Sequence, residues 1–234
     1  MKKPNKNDYQ LKNYYELLPK KYTMGNGLKN PNKKFHNLNL PFRLVIIGSS
    51  GSGKTNCVFN LIESIGSFEY IHIITKCIEG DKLYEYLHDN IDSIDITEGI
   101  DTIKDLDEFD TKLNNLVIID DLILEKNQKL IEEYFVRCRK KGISIIYLSQ
   151  SWFLIPKIIR QNLNYIIIKK FGSNKDITAL CRDYSFGLDS DEIKQIYKYC
   201  INEDFKNFML IDLNADDDNK FRKNFKVIKI EKED

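Results

Sequence analysis

Gly48-Ser49-Ser50-Gly51-Ser52-Gly53-Lys54-Thr55 is a full match to G-x-x-x-x-G-K-[ST]. It follows the apolar run RLVII, 43–47, and precedes the helix-compatible stretch NCVFNLIESI, 56–65. Strand, glycine-rich loop and helix in that order form a cradle for phosphate. The glycines let successive backbone N–H groups converge on one anion, and the helix beginning near Lys54 directs its positive end at the same place. On this reading Gly48, Ser49, Ser50, Gly51, Ser52, Gly53, Lys54, Thr55 and Asn56 surround the phosphates of a nucleotide such as ATP. Lys54 reaches the β- and γ-phosphates as a point charge, and the Thr55 hydroxyl is a hard oxygen ligand for Mg2+.

Working outward, short β-branched runs alternate with helical stretches from Pro41 onward, the pattern of a mostly parallel sheet with helices on both faces. Strands are predicted at about 43–48, 70–75, 116–120, 143–149 and 164–170. In NQKLIEEYFVRCRKK, 127–141, residues Leu130, Ile131, Tyr134, Phe135 and Cys138 share one helical face, and Gly142 ends the helix. Pro156 suits the first turn of another helix, IPKIIRQN. The acid-rich, weakly patterned segment 89–115 is expected to cover a sheet edge. KDITALCRDY and DSDEIKQIYKYC read as two further helices, followed by strands near 207–212 and 225–230. No internal repeat or linker divides the chain, so the expected organisation is an N-terminal arm, 1–40, and one domain, 41–234.

Two more strand ends carry polar groups. LVIIDDL, 116–122, is a continuous apolar run closed by two carboxylates, and residues at the C-terminal end of a parallel strand face the ligand crevice. Asp120 is placed to hold Mg2+ through its water shell, and Asp121 to polarise an attacking water. ISIIYLSQS, 143–151, ends in Gln150, whose amide donates to phosphate and accepts from water at once. In P-loop ATPases with a strand inserted between the phosphate-loop strand and the carboxylate strand, a polar residue at that tip faces the γ-phosphate. The expected fold is therefore a P-loop NTPase of the ASCE, RecA-like kind, an α/β three-layer sandwich.

Composition narrows the classes. The chain has 234 residues, 42% hydrophobic and 30% charged, with a formal net charge of +1, which excludes disorder over most of its length. Its longest apolar runs fall far short of the ~18 residues that span a bilayer, so no membrane segment is expected. The N-terminus has no apolar stretch of signal-peptide type, and the five cysteines never form C-x-x-C, which together suggest a reduced, intracellular protein. Three histidines offer no zinc spacing, and no serine has the G-x-S-x-G context of a nucleophilic hydrolase. Residues 1–43 hold ten Lys/Arg against Asp8 and Glu16, interleaved with Tyr9, Tyr14, Tyr15, Tyr22 and Phe35. Such an arm suits phosphates, bases or a partner subunit, and equally a solvated tail. Trp152, beside Phe153 and Leu154, is expected in the core.

The set GSSGSGKT, LVIIDD, FVRCRKKG, IIYLSQS and IPKIIRQNLNYIII, within 41–172, resembles the DNA-packaging ATPases of large DNA viruses and their virophages. These are FtsK–HerA superfamily motors and include the poxvirus-type packaging ATPase. The resemblance implies an ATP-driven, homo-oligomeric ring of five or six subunits that pumps double-stranded DNA into a capsid. It further implies docking on a capsid portal or vertex protein and a location in the host cytoplasm, at the viral factory, or with the virion. Many superfamily members carry Glu where this chain has Asp121; the viral packaging members resemble this chain in carrying Asp. The family also implies an arginine finger from a neighbouring subunit, for which Arg137, Arg139 and Arg160 are candidates, with Arg139 and Arg160 preferred. Two other classes stay open on the residues alone: a small-molecule or nucleoside kinase, and a non-catalytic, nucleotide-gated assembly subunit.

Overall fold

The computed structural model describes residues 28–122, 127–184 and 186–229, together with 17, 19 and 125. Among the described residues nine strands form one sheet: β1 (Arg43–Ile47), β2 (Tyr70–Thr75), β3 (Ile94–Glu98), β4 (Asn115–Asp120), β5 (Ile143–Ser149), β6 (Tyr165–Ile168), β7 (Met209–Asp212), β8 (Phe221–Lys223) and β9 (Lys226–Val227). Their order is β3-β2-β4-β5-β1-β6-β7-β8-β9. The first six in that order are mutually parallel, and the last three pair antiparallel. β5 lies between β1 and β4, the inserted strand expected from the sequence.

The central strands are apolar at every position because both faces are covered. On one face Leu44 and Ile46 of β1 and Leu116 and Ile118 of β4 pack with α2 (Lys54–Ile65) and α3 (Lys82–Asn90), through Val58, Leu61 and Leu87. On the other, Val45, Ile47, Val117 and Ile119 pack with α4 (Gln128–Arg137), α5 (Lys157–Arg160), α6 (Lys175–Asp183) and α7 (Ser190–Ile201). α4 buries Ile131, Tyr134 and Phe135, the face read from its periodicity. Trp152 is fully buried and its indole N–H donates to Asp183 at 2.7 Å.

Two expectations need correction. The segment 89–115 does not merely cover an edge: Ile94–Glu98 is the edge strand itself, parallel to β2. Its pattern is weak because an edge strand backed on one face alternates IDITE, with only Ile96 buried. The strand expected at 225–230 is instead the short hairpin β8–β9, beginning at Phe221 and turning at Asn224, whose φ is 56°. Asn tolerates that left-handed backbone, so the turn falls inside what reads as one run.

At the end of the expected arm, α1 (Lys33–His36) docks on the domain: Leu38 is fully buried, and the Leu38 N–H donates to His36 Nδ1 at 2.9 Å. Phe35 is exposed, with its ring centroid 5.4 Å from that of Phe225. The arm's four tyrosines lie outside the described residues.

Arg222 of β8 ties these parts together, donating to the Asn37 carbonyl at 3.1 Å and to Asp212 of β7 at 2.7 Å. Both members of the ion pair are buried. Removing one partner of such a pair leaves the other charged and dry. Asp212→Ala is expected to lower unfolding stability by about 3 kcal/mol. Urea denaturation measures it; a loss under about 1 kcal/mol would show the pair to be incidental.

Candidate nucleotide site

The site is built at the edge where the parallel strands end. β1 runs into the loop Gly48–Gly53, and α2 begins at Lys54 with Gly53 as its cap. Gly51 and Gly53 have φ of 71° and 81°, a left-handed backbone that disfavours any side chain with a Cβ. At Gly48 a Cβ would fall 2.6 Å from Lys169 Cβ and 2.6 Å from Ser52 Oγ, so the tight turn has no room for a larger residue. The loop is tied to both neighbouring strands: the Gly48 N–H donates to the Ser149 carbonyl and the Ser49 N–H to the Lys170 carbonyl.

A cleft of about 450 Å³ opens on this loop. Gly51, Lys54, Thr55, Asp120, Asp121 and Gln150 all line it, so the structure brings together six of the sequence-predicted site residues from three strand ends and one helix. Lys54 Nζ folds back onto its own loop, donating to the Gly48 carbonyl at 2.9 Å and the Ser49 carbonyl at 3.1 Å. Burial pulls its pKa down, against the opposing pull of Asp120 and Asp121. Asp121 is exposed and holds a left-handed φ of 54°, which turns its side chain at the strand end. The Gln150 amide lies 3.5 Å from Asp121 Oδ1, at the outer limit of a hydrogen bond.

Sequence reasoning missed Tyr84. This α3 residue is buried under the cleft, and its hydroxyl donates to Asp120 Oδ2 at 2.7 Å while lying within hydrogen-bonding reach of the Thr55 side chain. Burial raises its pKa, with the Asp120 charge adding to the effect, so the phenol keeps its proton. Burial also raises the pKa of Asp120, opposed by the Tyr84 hydrogen bond and by Lys54. No motif announces a tyrosine 36 residues ahead of its carboxylate partner; the amphipathic period of DKLYEYLHDN reveals only that Tyr84 faces inward. Lys76, just past β2, also lines the cleft and was not singled out.

Thr55, Asp120 and Tyr84 give a set of hard oxygen donors. Among the described residues no three His, Cys, Asp or Glu side chains converge as a metal cage. A cation here must take most of its ligands from phosphate and water, which suits Mg2+.

The two preferred arginines are not brought to the cleft. Arg139 is exposed on the 3-10 turn Cys138–Lys141, before β5, and Arg160 ends α5, before β6. Both precede strands whose C-terminal ends form the site. Arg160 is paired with Asp183 and lies 5.5 Å over the Trp152 ring. Arg137 is likewise exposed, at the end of α4. Among the described residues the cleft is lined by Lys54 and Lys76 and by no arginine.

Solved structures share this arrangement. The genome packaging NTPase B204 of Sulfolobus turreted icosahedral virus 2, in complex with sulfate, superposes with a TM-score of 0.57 at 14% identity, covering 82% of this chain and 100% of that one. The same protein in complex with ATP-gammaS gives a TM-score of 0.55 at 14% identity, over 82% and 100% of the two chains. ATPases 2 and 3 of EssC from Geobacillus thermodenitrificans give 0.55 at 14% identity, over 83% of this chain and 41% of that one. At such identities the likeness establishes the fold, that of the P-loop ATPases. A search of curated protein sequences finds no significant match. The profile of the family described as Poxvirus A32 protein matches residues 32–212, from the docked α1 through β7. With loop, carboxylates and inserted strand all inside that span, the chain belongs to the Poxvirus A32 protein family.

Proposed function

We propose that this protein is an ATP-hydrolysing motor that moves double-stranded DNA into a viral capsid. The observation that carries the chemistry is the convergence of Lys54, Thr55, Asp120, Asp121 and Gln150 on one cleft at the mouth of a glycine loop. The family and the shared fold with the packaging NTPase B204 support the biological role.

In this reading the loop N–H groups and the α2 N-terminus receive the triphosphate. Lys54, held by two carbonyls of its own loop, exchanges them for phosphate oxygens, a stronger charge-assisted partner for a half-buried ammonium. Mg2+, when bound beside Thr55 and Asp120, neutralises phosphate charge. Tyr84 fixes the carboxylate of Asp120 in one orientation. Asp121 accepts a proton from the attacking water, and Gln150, beside it, orients that water and contacts the terminal phosphate. Water rather than a second substrate is the acceptor, because the carboxylate and amide stand where the terminal phosphate must point.

Among the described residues no arginine of the subunit itself lines its cleft, so we assign the stabilisation of transition-state charge to Arg139 or Arg160 of a neighbour in a ring of five or six. An arginine supplied in trans is worth ~10³ to 10⁵ in rate in related P-loop systems. The arm, residues 1–40, is proposed to contact DNA phosphates or the next subunit, and the ring to dock on a capsid vertex or portal in the host cytoplasm. No helix among the described residues is long and apolar enough to cross a membrane.

ATP turnover is expected to be slow at low protein concentration, and to rise with concentration and with duplex DNA. Lys54→Ala and Asp120→Ala should each reduce it on the order of 10²-fold or more, measured as released phosphate. Normal hydrolysis by Lys54→Ala would sink the mechanism. Tyr84→Phe should lower turnover about tenfold and raise the Mg2+ concentration needed for half-maximal rate, while magnesium-free nucleotide binding stays as in the wild type. An unchanged Mg2+ requirement would leave Tyr84 as packing alone.

A further inference from the structure

A second cavity, of about 840 Å³, lies on the other side of the glycine loop from the carboxylates. Its lining includes Gly51 and Ser52 of the loop, Lys170 beyond β6, and Tyr199 and Phe205. Gly51 borders both this cavity and the catalytic cleft, so the two flank the same loop.

Sheet order fixes which part of a nucleotide can enter each. Asp120, Asp121 and Gln150 stand at the ends of β4 and β5, on one side of β1, and they mark where the terminal phosphate points. A triphosphate lying across the α2 N-terminus must therefore carry its nucleoside toward the opposite side, over β6. That is where the second cavity opens.

Phe205 is the notable feature there. The residue is 67% exposed, yet its ring leans on the loop, with an edge carbon 3.4 Å from where a Gly53 Cβ would be. An exposed phenylalanine on a convex surface needs no explanation, but one placed against a phosphate-binding turn offers a flat apolar face beside the phosphates. Its position is held from beneath. Lys169 is almost fully buried, and its ammonium donates to the Phe205 carbonyl at 2.6 Å and the Asn207 carbonyl at 3.1 Å. Burial lowers the pKa of this lysine, a cost that the two backbone acceptors offset. The segment is also braced by itself: the Asn207 side chain donates to the Asn202 carbonyl at 2.8 Å, and the Lys206 N–H to Asp204 at 2.9 Å. Lys169 thus links the loop it underlies, through Gly48, to the segment that presents the ring.

We infer that the Phe205 face is the platform on which the adenine base of ATP stacks. This deepens the nucleotide reading above and rests on it. Stacking of a base on an aromatic ring corresponds to roughly 5- to 150-fold in affinity.

Calorimetric titration of the full chain with Mg-ATP and, separately, with magnesium tripolyphosphate tests it. Phe205→Ala is expected to weaken ATP binding about tenfold or more and to leave tripolyphosphate binding unchanged within about twofold; Phe205→Tyr should retain the wild-type ATP affinity. Because the side chain is exposed, the alanine variant is expected to fold. Unchanged ATP affinity in Phe205→Ala would overturn the inference and hand the cavity to another occupant, such as DNA or a neighbouring subunit. An equal loss for ATP and tripolyphosphate would overturn it too, showing that the ring merely props the loop. If the wild-type protein bound neither compound, the phosphate-binding reading itself would fall, a result separate from both.

Discussion

A phosphate cradle serves chemistry only if the strand that feeds it and the strands that deliver carboxylate and amide all end at one edge. Parallel pairing imposes that condition here. β1, β4 and β5 run in register side by side, with Ile47 opposite Ser149 and Ile119 opposite Tyr147, so the residues just past each strand meet without any long loop. The continuous apolar character of these strands is what keeps them central, and their central position is what gathers their tips. Site and core are thus consequences of the same pairing.

Lys54 shows how the loop satisfies a charge of its own. An ammonium in a half-buried cleft needs acceptors, and it finds them in two carbonyls of its own loop. The loop's own amides are partly committed as well: the Gly48 and Ser49 N–H groups donate to the Ser149 and Lys170 carbonyls and the Ser52 N–H to the Ser49 carbonyl, which fixes the turn between the two neighbouring strands. Asp120 is treated in parallel fashion: Tyr84 supplies a proton donor to one oxygen and leaves the other for the cleft. Each charged group therefore has a neutral partner that fixes its direction while leaving it available.

What was legible in the sequence follows from how local the signal is. GSSGSGKT, IIDD and YLSQ are contiguous, and each adjoins an apolar run long enough to be recognised as a buried strand, so their convergence could be anticipated. β3 was not, because an edge strand with one buried residue carries hardly any pattern. Tyr84, Lys169 and Phe205 were not for a different reason: each acts through a partner far along the chain, 36 residues away in the Tyr84–Asp120 bond and 36 in the bond from Lys169 to the Phe205 carbonyl. A lysine at the end of YIIIKK reads as a strand terminus meeting solvent, yet it is buried beneath the loop. Only the fold reveals that the strand ends under the glycine turn.

The arginines bear on assembly through the same parallel geometry. Arg139 precedes β5, whose seven residues separate it from Gln150 by about 23 Å at ~3.3 Å per residue. Arg160 stands likewise before β6 while the glycine loop lies beyond that strand's partner. Neither can reach the phosphate site of its own subunit without dismantling the sheet that creates the site. If either one stabilises the transferring phosphate, it must do so across an interface, with the strand-start edge of one subunit facing the strand-end edge of the next. That head-to-tail relation is heterologous, and a heterologous contact closes only as a ring or runs on as a filament. On the proposed trans-acting arginine, the placement of these two at the far edge is compatible with the ring and equally with a filament, and only the subunit rotation separates the two. To serve as the proposed finger Arg160 would have to exchange its Asp183 partner and its seat on Trp152 for the neighbour's nucleotide, whereas exposed Arg139 has no such side-chain contact among the described residues. On that comparison the proposed finger role would cost Arg139 the smaller rearrangement.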